Sequence, residues 1–446
     1  MRTQPKDQVV IGAGPVGVLA SLALAEKGHH VSLVDGDPSF TCSFAGEWLH
    51  PEGLRLLKKY GVDLTSGTTE QTAEAKGFVV YPDDGSQPIL LDNPGGHDGL
   101  AFERSYLMKA LRSKCEENEC IDWTPHAKVT GVEEGALQLE LVKEGRHLDW
   151  TADRIIGADG RKSIVRRSLG PQRSSHLISY MVGVLIRDTQ LPHEGYGHVF
   201  LGGPGPVLVY RIGENGIRVC IDAPQDDFRS SKDKALALRD HLTHLPGHLA
   251  EPIRARLAAG DFAVRANQFR SRVFYGDSSR PLVGDAVGFH HPLTAMGMTL
   301  GFEDVDCLVN SRSFQDFERE RLSRTLVPEL LALALYEAFS RNDSGAASVR
   351  SAVYRMWRNY GVERERTMRL LCGEEKNLLR FGQSLLRGVQ LALVSSVLHR
   401  GPLSSMYQET LGTLGSIGKI LYVLSKPSSS RILPFGQALT IRKKVA

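Results

Sequence analysis

The sequence predicts an α/β fold: a discontinuous, Rossmann-like nucleotide-binding domain, a mixed β-sheet domain and a C-terminal helical region. Three observations predict it. A GxGxxG loop lies between a short apolar run and a helical stretch near the N-terminus. Two later segments each run an apolar strand into a small residue followed by an acid. After about Phe317 the alternating pattern of the middle gives way to helical periodicity.

The first element is the apolar run 8–11, followed by Gly12-Ala13-Gly14-Pro15-Val16-Gly17, a helical stretch to Lys27, and the strand 31–34 ending at Asp35. Gly12 permits the tight turn, Gly14 lets the backbone approach a pyrophosphate, and Gly17 lets the helix pack close to the strand. The helix start at Pro15 and Val16 presents its N-terminus to phosphates. Asp35 stands 23 residues after Gly12, where it can accept from an adenosine ribose hydroxyl. The pattern reads as dinucleotide binding and leaves FAD and NAD open.

The second segment, 154–166, reads RIIGADGRKSIVR and turns at Gly157-Ala158-Asp159-Gly160, with Ser163 and Arg166 following. The third, 280–304, runs a strand into Gly284-Asp285. Each supplies backbone N–H groups and one carboxylate, which suits phosphates and a polyol chain. Either alone reads equally well as a capped turn. Together with GxGxxG, in this order, they are specific. The predicted boundaries are 1–77, 98–175 and 280–320 for the cofactor domain, 78–97 and 176–279 for the β-sheet domain, and 321–446 for the helical region.

The middle alternates as strands do at 180–187, 197–201, 207–211 and 217–221, and 78–91 adds a hairpin about Pro82-Asp83-Asp84-Gly85. Such a sheet would roof the cofactor. Phe78, Tyr210 and Phe289 are candidates to line the substrate site, with ordinary core packing as the alternative. The adjacent His290 and His291 read as packing residues at a strand end, because neighbouring side chains seldom face one metal.

Composition bounds the rest. Of 446 residues, 41% are hydrophobic and 24% charged, which excludes bulk disorder. A net charge of +3 excludes nucleic acid as the main partner. The N-terminus has no signal-peptide core, and six scattered cysteines lack zinc-site spacing, so no metal is expected and the thiols read as reduced and cytoplasmic. The charge is unevenly spread. Residues 376–446 hold ten Lys/Arg and one acid, Glu409, for a charge of +9, and the remaining 44 Lys/Arg and 50 acids give −6. Apolar segments at 378–403 and 411–426, broken by isolated basic residues, read as amphipathic helices lying in a membrane interface rather than as spans. Helices capping the substrate domain are the alternative. Pro427-Ser428-Ser429-Ser430 reads as a flexible turn.

The GxGxxG, DG and GD trio resembles that of FAD-dependent monooxygenases of the aromatic-hydroxylase type. Within that group the chain is similar to squalene epoxidases. HPLTAMGMTLGFED at 291–304 resembles their HPLTGGGMT, and GEWLHPEG at 46–53 resembles their GEFLQPGG. PVLVY at 206–210 and LALYEAFS at 333–340 resemble SPVLIYQ and ALYELFS. The resemblance implies that Gly12, Gly14, Gly17 and Asp35 hold the ADP half of FAD. It implies that Arg104 lies near the flavin phosphates and ribityl chain, and Asp159 between FAD and the nicotinamide donor. Asp285 would bind the ribityl–pyrophosphate region, and the Gly297-Met298 backbone would approach the pyrimidine edge of the ring. NADPH or NADH would reduce FAD, O₂ would add at C4a, and the hydroperoxide would deliver one oxygen.

Four positions depart from the family pattern. His50 replaces a glutamine, Phe78 a tyrosine, and Ala295 and Met296 two glycines. His50, a donor and acceptor that titrates near neutrality, suits a polar headgroup or proton relay better than squalene does, with a packing histidine as the alternative. The favoured substrate is therefore lipophilic and isoprenoid-bearing, a prenylated quinolone or quinone, with a squalene-like alkene still open. A geranylgeranyl-reductase-like flavin reductase and a lipid-binding module with a relic FAD site are the other readings. No second GxGxxG is present, so NAD(P)H docks transiently or a partner reductase delivers electrons. The expected location is the cytoplasmic face of a membrane, peripheral or monotopic.

Overall fold

The computed structural model describes residues 6–37, 44, 46–67, 70–170, 174–231, 233–341 and 343–398. The expectations for the segment 411–426, the turn at 427–430, most of the +9 charge and Cys42 lie outside the described residues.

The fold is the mixed α/β architecture that the sequence predicts. A six-stranded sheet runs Ile121–Pro125, Val31–Asp35, Lys6–Ile11, Arg146–Gly157, Ala136–Leu141, Ala127–Glu133. Its first four strands are parallel and its last pairings antiparallel. The parallel strands are apolar on both faces because helices cover both: Val9, Val10, Leu33, Val34, Ile155 and Ile156 are all buried. Ile11 pairs with both Val34 and Gly157. The chain therefore leaves three neighbouring strands at one edge, and Gly12, Asp35 and Ala158 emerge side by side. Ligands of open parallel sheets bind in the crevice at such carboxyl ends.

A seven-stranded sheet runs Ala263–Phe269, His176–Arg187, Gly216–Pro224, Val207–Arg211, Tyr196–Phe200, Gly77–Tyr81, Ile89–Asp92. The strand at 207–211 has the predicted bounds, Tyr196–Phe200 lies one residue earlier than predicted, and Gly216–Pro224 and His176–Arg187 run longer. Three helices within the predicted all-strand middle, Gln225–Ser230, Lys234–Ala237 and Gly247–Ala258, are not anticipated by the sequence reading. Leu249 and Ile253 of the last cluster with Val182, Val184, Val209 and Val219 of the sheet. The opposite face of the sheet meets Phe44, Trp48 and the helix Phe314–Phe339. A third, small sheet joins Trp48–Leu49, Gly99–Phe102 and Thr72–Ala75.

After residue 313 the described chain is helical, as expected: Phe314–Phe339, Ser344–Asn359, Gly361–Leu371 and Leu378–Leu398. Among the described residues no helix is long and apolar enough to cross a membrane.

One expectation is corrected. The segment before Gly284-Asp285 is not a strand but a pair of backbone bridges. Gly157 donates to Pro281 O at 2.9 Å and Val283 donates to Gly157 O at 2.9 Å. Pro281 has no N–H to donate, and the chain turns immediately afterwards. What holds this short piece is a buried ion network. Asp304 accepts from Gly284 N at 2.8 Å, from Arg321 Nε at 2.8 Å and from Arg272 Nη2. Arg272 Nη1 donates to Gly284 O at 3.0 Å and to Gly288 O at 2.7 Å. Arg321 also reaches Glu303 at 3.0 Å, and Lys376 reaches Glu303 at 2.7 Å.

Removing one member of such a network leaves the others charged and dry, which costs about 3–5 kcal/mol. Arg321→Met is expected to lower unfolding free energy by about that amount. Urea denaturation checks it, and an unchanged midpoint would show that the network contributes nothing.

Candidate functional site

The three motif loops meet at the carboxyl edge of the parallel strands. Gly12 has φ +103°, and a Cβ built on it would lie 2.6 Å from Ala158 O. A Cβ on Gly17 would lie 1.7 Å from Gly12 O and 3.2 Å from Ala158 Cβ. Only hydrogen fits there, so the first loop and the DG turn touch backbone to backbone. The GD turn closes on the same place. Val16 packs where a Cβ on Gly284 or Gly301 would stand, at 3.1 and 2.5 Å from its methyl groups. Arg166 ties the DG and GD turns, donating to Ala286 O and to Arg161 O, both at 2.6 Å. Burial lowers the Arg166 guanidinium to about 10.

The acids of the motifs are placed as follows. Asp35 Oδ2 accepts from Ala13 N at 2.5 Å and Oδ1 from Asp37 N at 2.7 Å, so the carboxylate braces the glycine loop from the next strand. Asp159 Oδ2 accepts from Ile164 N at 2.6 Å, while its buried Oδ1 meets no hydrogen-bond donor among the described residues. Burial raises Asp159 above the usual carboxylate range. Asp285 is half-exposed and pairs with Arg161 at 3.4 Å. The Arg161 guanidinium lies 5.1 Å from the centre of the buried Phe289 ring.

These residues fit FAD. A pyrophosphate needs donors and room, and Gly14 offers both. A Cβ built there meets no atom within 4 Å. The helix Pro15–Glu26 that Gly14 caps has no side-chain cap and no acid in its first turn, so its leading N–H groups are left for an anion. The second uncapped start is Gly297 of the helix Gly297–Asn310, again with no acid in the first turn and open space beside Gly297. Arg104 begins the helix Arg104–Glu116, and a Cβ on Gly46 would lie 3.0 Å from its Nη1 and 3.1 Å from Met298 Sδ. Arg104, Gly46 and Met298 are therefore neighbours.

His50 lies beside this edge and is buried. Its Nε2–H donates to Thr294 O at 2.9 Å, in the turn Pro292–Thr294. Burial lowers its pKa to about 4. The expectation that His50 titrates near neutrality is corrected on that ground: a dry imidazole with one carbonyl partner stays neutral there. Its ring centre lies 6.2 Å from that of Phe78. Phe78 stacks on Trp48 at 5.1 Å, and Trp48 meets Tyr210 edge-on at 5.5 Å. Phe78 is pinned by Gly197, where a Cβ would stand 2.7 Å from its ring. Ala295, at a position where the resembled pattern has glycine, has φ +52°. That left-handed backbone costs a non-glycine residue about 1 kcal/mol.

Sequence reasoning misses the pair behind this cluster. Glu47 and Arg218, 171 residues apart, form a buried bidentate ion pair at 2.7 and 2.9 Å. Burial raises the Glu47 carboxyl despite Arg218. The motif that contains Glu47 is visible in sequence, but Arg218 has no local signal. Among the described residues no group of three or more metal-ligating side chains occurs. His291 packs in a polar cluster with Ser179, Asp222 and Asn267.

A glycine-rich loop with DG and GD turns at one sheet edge, under a second mixed sheet, is the arrangement that the resemblance to FAD-dependent monooxygenases implies. Solved structures agree with the fold. A p-nitrophenol 4-monooxygenase from Pseudomonas putida DLL-E4 aligns with a TM-score of 0.67 and 16% identity, covering 86% of this chain and 99% of that one. The flavin-dependent brominase Bmp2 aligns with a TM-score of 0.70 and 14% identity, covering 86% and 97%. The squalene epoxidase family model matches residues 151–406, more than half the chain. The squalene epoxidase of Schizosaccharomyces pombe is 24% identical, covering 96% of this chain and all of that protein. That of Candida albicans is 23% identical, covering 80% and 84%. The chain belongs to the squalene epoxidase family and is a flavin-dependent monooxygenase.

Two stability measurements follow from the geometry. Gly17→Ala is expected to unfold the chain or cost several kcal/mol, whereas Gly14→Ala costs under about 1 kcal/mol. Equal losses in thermal melts would contradict the close approach. The second concerns pH. In the unfolded chain His50 binds a proton below its ordinary value of 6.5, but in the folded chain not until about 4. Stability from this group is therefore present above pH 6.5 and is lost as pH falls towards 4. Glu47 and Asp159, both raised, act in the opposite sense. The difference between variants isolates His50. Between pH 7 and 5 the parent should lose about 1–2 kcal/mol more than His50→Gln in urea titrations. Equal losses would place His50 in water.

Proposed function

We propose that the chain uses NAD(P)H and O₂ to epoxidise, or to hydroxylate by way of an epoxide, a lipophilic isoprenoid-bearing substrate, with a prenylated quinolone or quinone ring favoured over squalene. Bound FAD would supply oxygen activation and transfer of one oxygen atom. The observation that carries this reading is the junction of the aromatic cluster with the motif edge, made by the His50–Thr294 hydrogen bond of 2.9 Å.

In this reading Gly12, Gly14, Pro15, Val16, Gly17 and Asp35 bind the ADP half of the cofactor. Arg104, Asp159 and Asp285 bind its phosphates and ribityl chain, with Asp159 also facing the nicotinamide donor. The Gly297 and Met298 N–H groups polarise the ring edge. Trp48, Phe78 and Tyr210 orient the isoprenoid π bond and exclude water. His50 keeps its hydrogen on Nε2, towards Thr294, and offers Nδ1 as an acceptor. An acceptor suits a ring N–H or O–H, which squalene lacks. The proposed domains keep the boundaries given above.

Electrons come from NADH or NADPH docking transiently, or through a reductase. The helix Leu378–Leu398 supports membrane contact, peripheral or monotopic on the cytoplasmic face. Its Leu378, Leu379 and Leu386 are exposed among Arg380 and Arg387. Such contact would give a lipophilic substrate a route in.

The test uses detergent-solubilised protein with FAD, NAD(P)H, a generic reductase and ¹⁸O₂, offered squalene and several prenylated quinolones and quinones. One labelled oxygen in a ring-bearing product is expected. Label in squalene alone would overturn the ring preference. Gain of two hydrogens without label would replace the oxygenase by a flavin reductase.

A further inference from the structure

The cluster that contains His291 has no place in the reading so far. It brings together three strands of the roof sheet and the turn that leads to Gly297. Ser179 lies on His176–Arg187, Asp222 on Gly216–Pro224, Asn267 on Ala263–Phe269, and Ser179 is directly opposite Asn267. All four side chains are buried.

Asp222 Oδ1 is the focus. It accepts from Ser179 Oγ at 2.5 Å, from Asn267 Nδ2 at 3.0 Å and from His291 Nε2 at 3.0 Å. Asn267 Nδ2 also donates to Ser179 Oγ at 3.0 Å. The imidazole has one reading in this network. His291 Nδ1 accepts from Leu293 N at 3.2 Å, so it carries a lone pair, and the ring hydrogen is on Nε2, facing Asp222. The Tyr336 ring covers the imidazole at 4.5 Å between centres.

Serine, histidine and aspartate in contact suggest a nucleophile, but the hydrogens run the wrong way for one. Ser179 gives its hydrogen to Asp222, His291 has no free lone pair to receive it, and no member reaches solvent. The arrangement is a cross-link. One end is the roof sheet. The other is the start of the turn Pro292–Thr294, which His291 caps. Two residues on, Thr294 O receives His50, Ala295 takes its left-handed conformation, and the helix Gly297–Asn310 begins.

We infer that Ser179, Asp222, Asn267 and His291 form a positioning site, which sets the spacing between the roof sheet carrying Phe78 and Tyr210 and the turn carrying Thr294 and Gly297. The inference rests on the oxygenase reading above. There the substrate double bond is held by one wall and the flavin edge by the other, so a loose link lets them drift apart. Misplacement of reacting groups by about 1 Å costs up to two orders of magnitude in rate. If the two walls drift apart, the two electrons of NAD(P)H and two protons would convert O₂ to H₂O₂, with no oxygen atom inserted into the substrate.

The test compares His291→Phe, which keeps the ring against Tyr336 and removes both hydrogen bonds, with His291→Gln, whose amide can still donate to Asp222. Ser179→Ala serves as a milder variant. The readouts are kcat and KM for the labelled product, and H₂O₂ released per NAD(P)H oxidised. His291→Phe is expected to lower kcat about tenfold with KM changed less than about threefold, and to raise the H₂O₂ share. His291→Gln should recover most of the coupling, and Ser179→Ala should shift in the same direction by less. Unchanged coupling in His291→Phe and Ser179→Ala would overturn the inference. So would a glutamine variant no better than phenylalanine. If His291→Phe does not fold, Ser179→Ala and His291→Gln decide. A parent protein that forms no labelled product fails the oxygenase reading instead. The cluster is then judged by histidine ¹⁵N spectra: hydrogen on Nε2 of His291 is expected, and hydrogen on Nδ1 would overturn the link.

Discussion

A methyl group at Gly17 would stand 1.7 Å from the carbonyl oxygen of Gly12, and the rest of the architecture depends on that clearance. It lets the first helix sit down on its own loop and press that loop against Ala158. The parallel strands are in register at Ile11, Val34 and Gly157, so three chain segments are delivered to one edge within a few ångströms. Packing of the partly buried Val16 against Gly284 and Gly301 brings the fourth. Two uncapped helix starts then face open space at Gly14 and Gly297. The result is a surface of backbone donors with few side chains in the way, which is what a long, polyanionic and flat cofactor requires.

Around this edge the molecule divides its labour by chemistry. Buried ion pairs fix backbone that lacks regular structure: Asp304 with Arg272 and Arg321 under the GD turn, and Glu47 with Arg218 behind the aromatic cluster. Such pairs contribute little net stability for their cost of desolvation, but losing one partner leaves the other charged and dry. The aromatic cluster is different. There Trp48, Phe78 and Tyr210 pack as rings, and His50 is neutral. A charge would bind water, whereas this surface is built to do without it.

The sequence makes legible what is encoded locally. The glycine loop, the DG and GD turns, the strand 207–211 and the helical last third each follow from residues close in the chain. Gly12 and Gly17 reveal themselves because no other residue fits. Two of the missed helices, Gln225–Ser230 and Lys234–Ala237, span six and four residues, and the third, Gly247–Ala258, carries Pro252 in its interior, so none shows a long uninterrupted helical period. The GD segment reads as a strand because its residues are apolar, but one proline removes the ladder. His50 is identifiable as a residue that departs from its family pattern. Its pKa and partner depend on burial and on a carbonyl 244 residues away, which no local pattern contains. The same is true of Arg218 and of the four residues about Asp222.

Three separated loops make one cradle, with the aromatic cluster at its end, that suits FAD. A crystal structure of the protein with FAD tests it most directly. The pyrophosphate is expected over Gly14 at the start of the helix Pro15–Glu26, with the isoalloxazine edge against Gly297 and Met298 and its face towards Phe78 and Trp48. FAD bound elsewhere, or a ring turned away from that cluster, would contradict it.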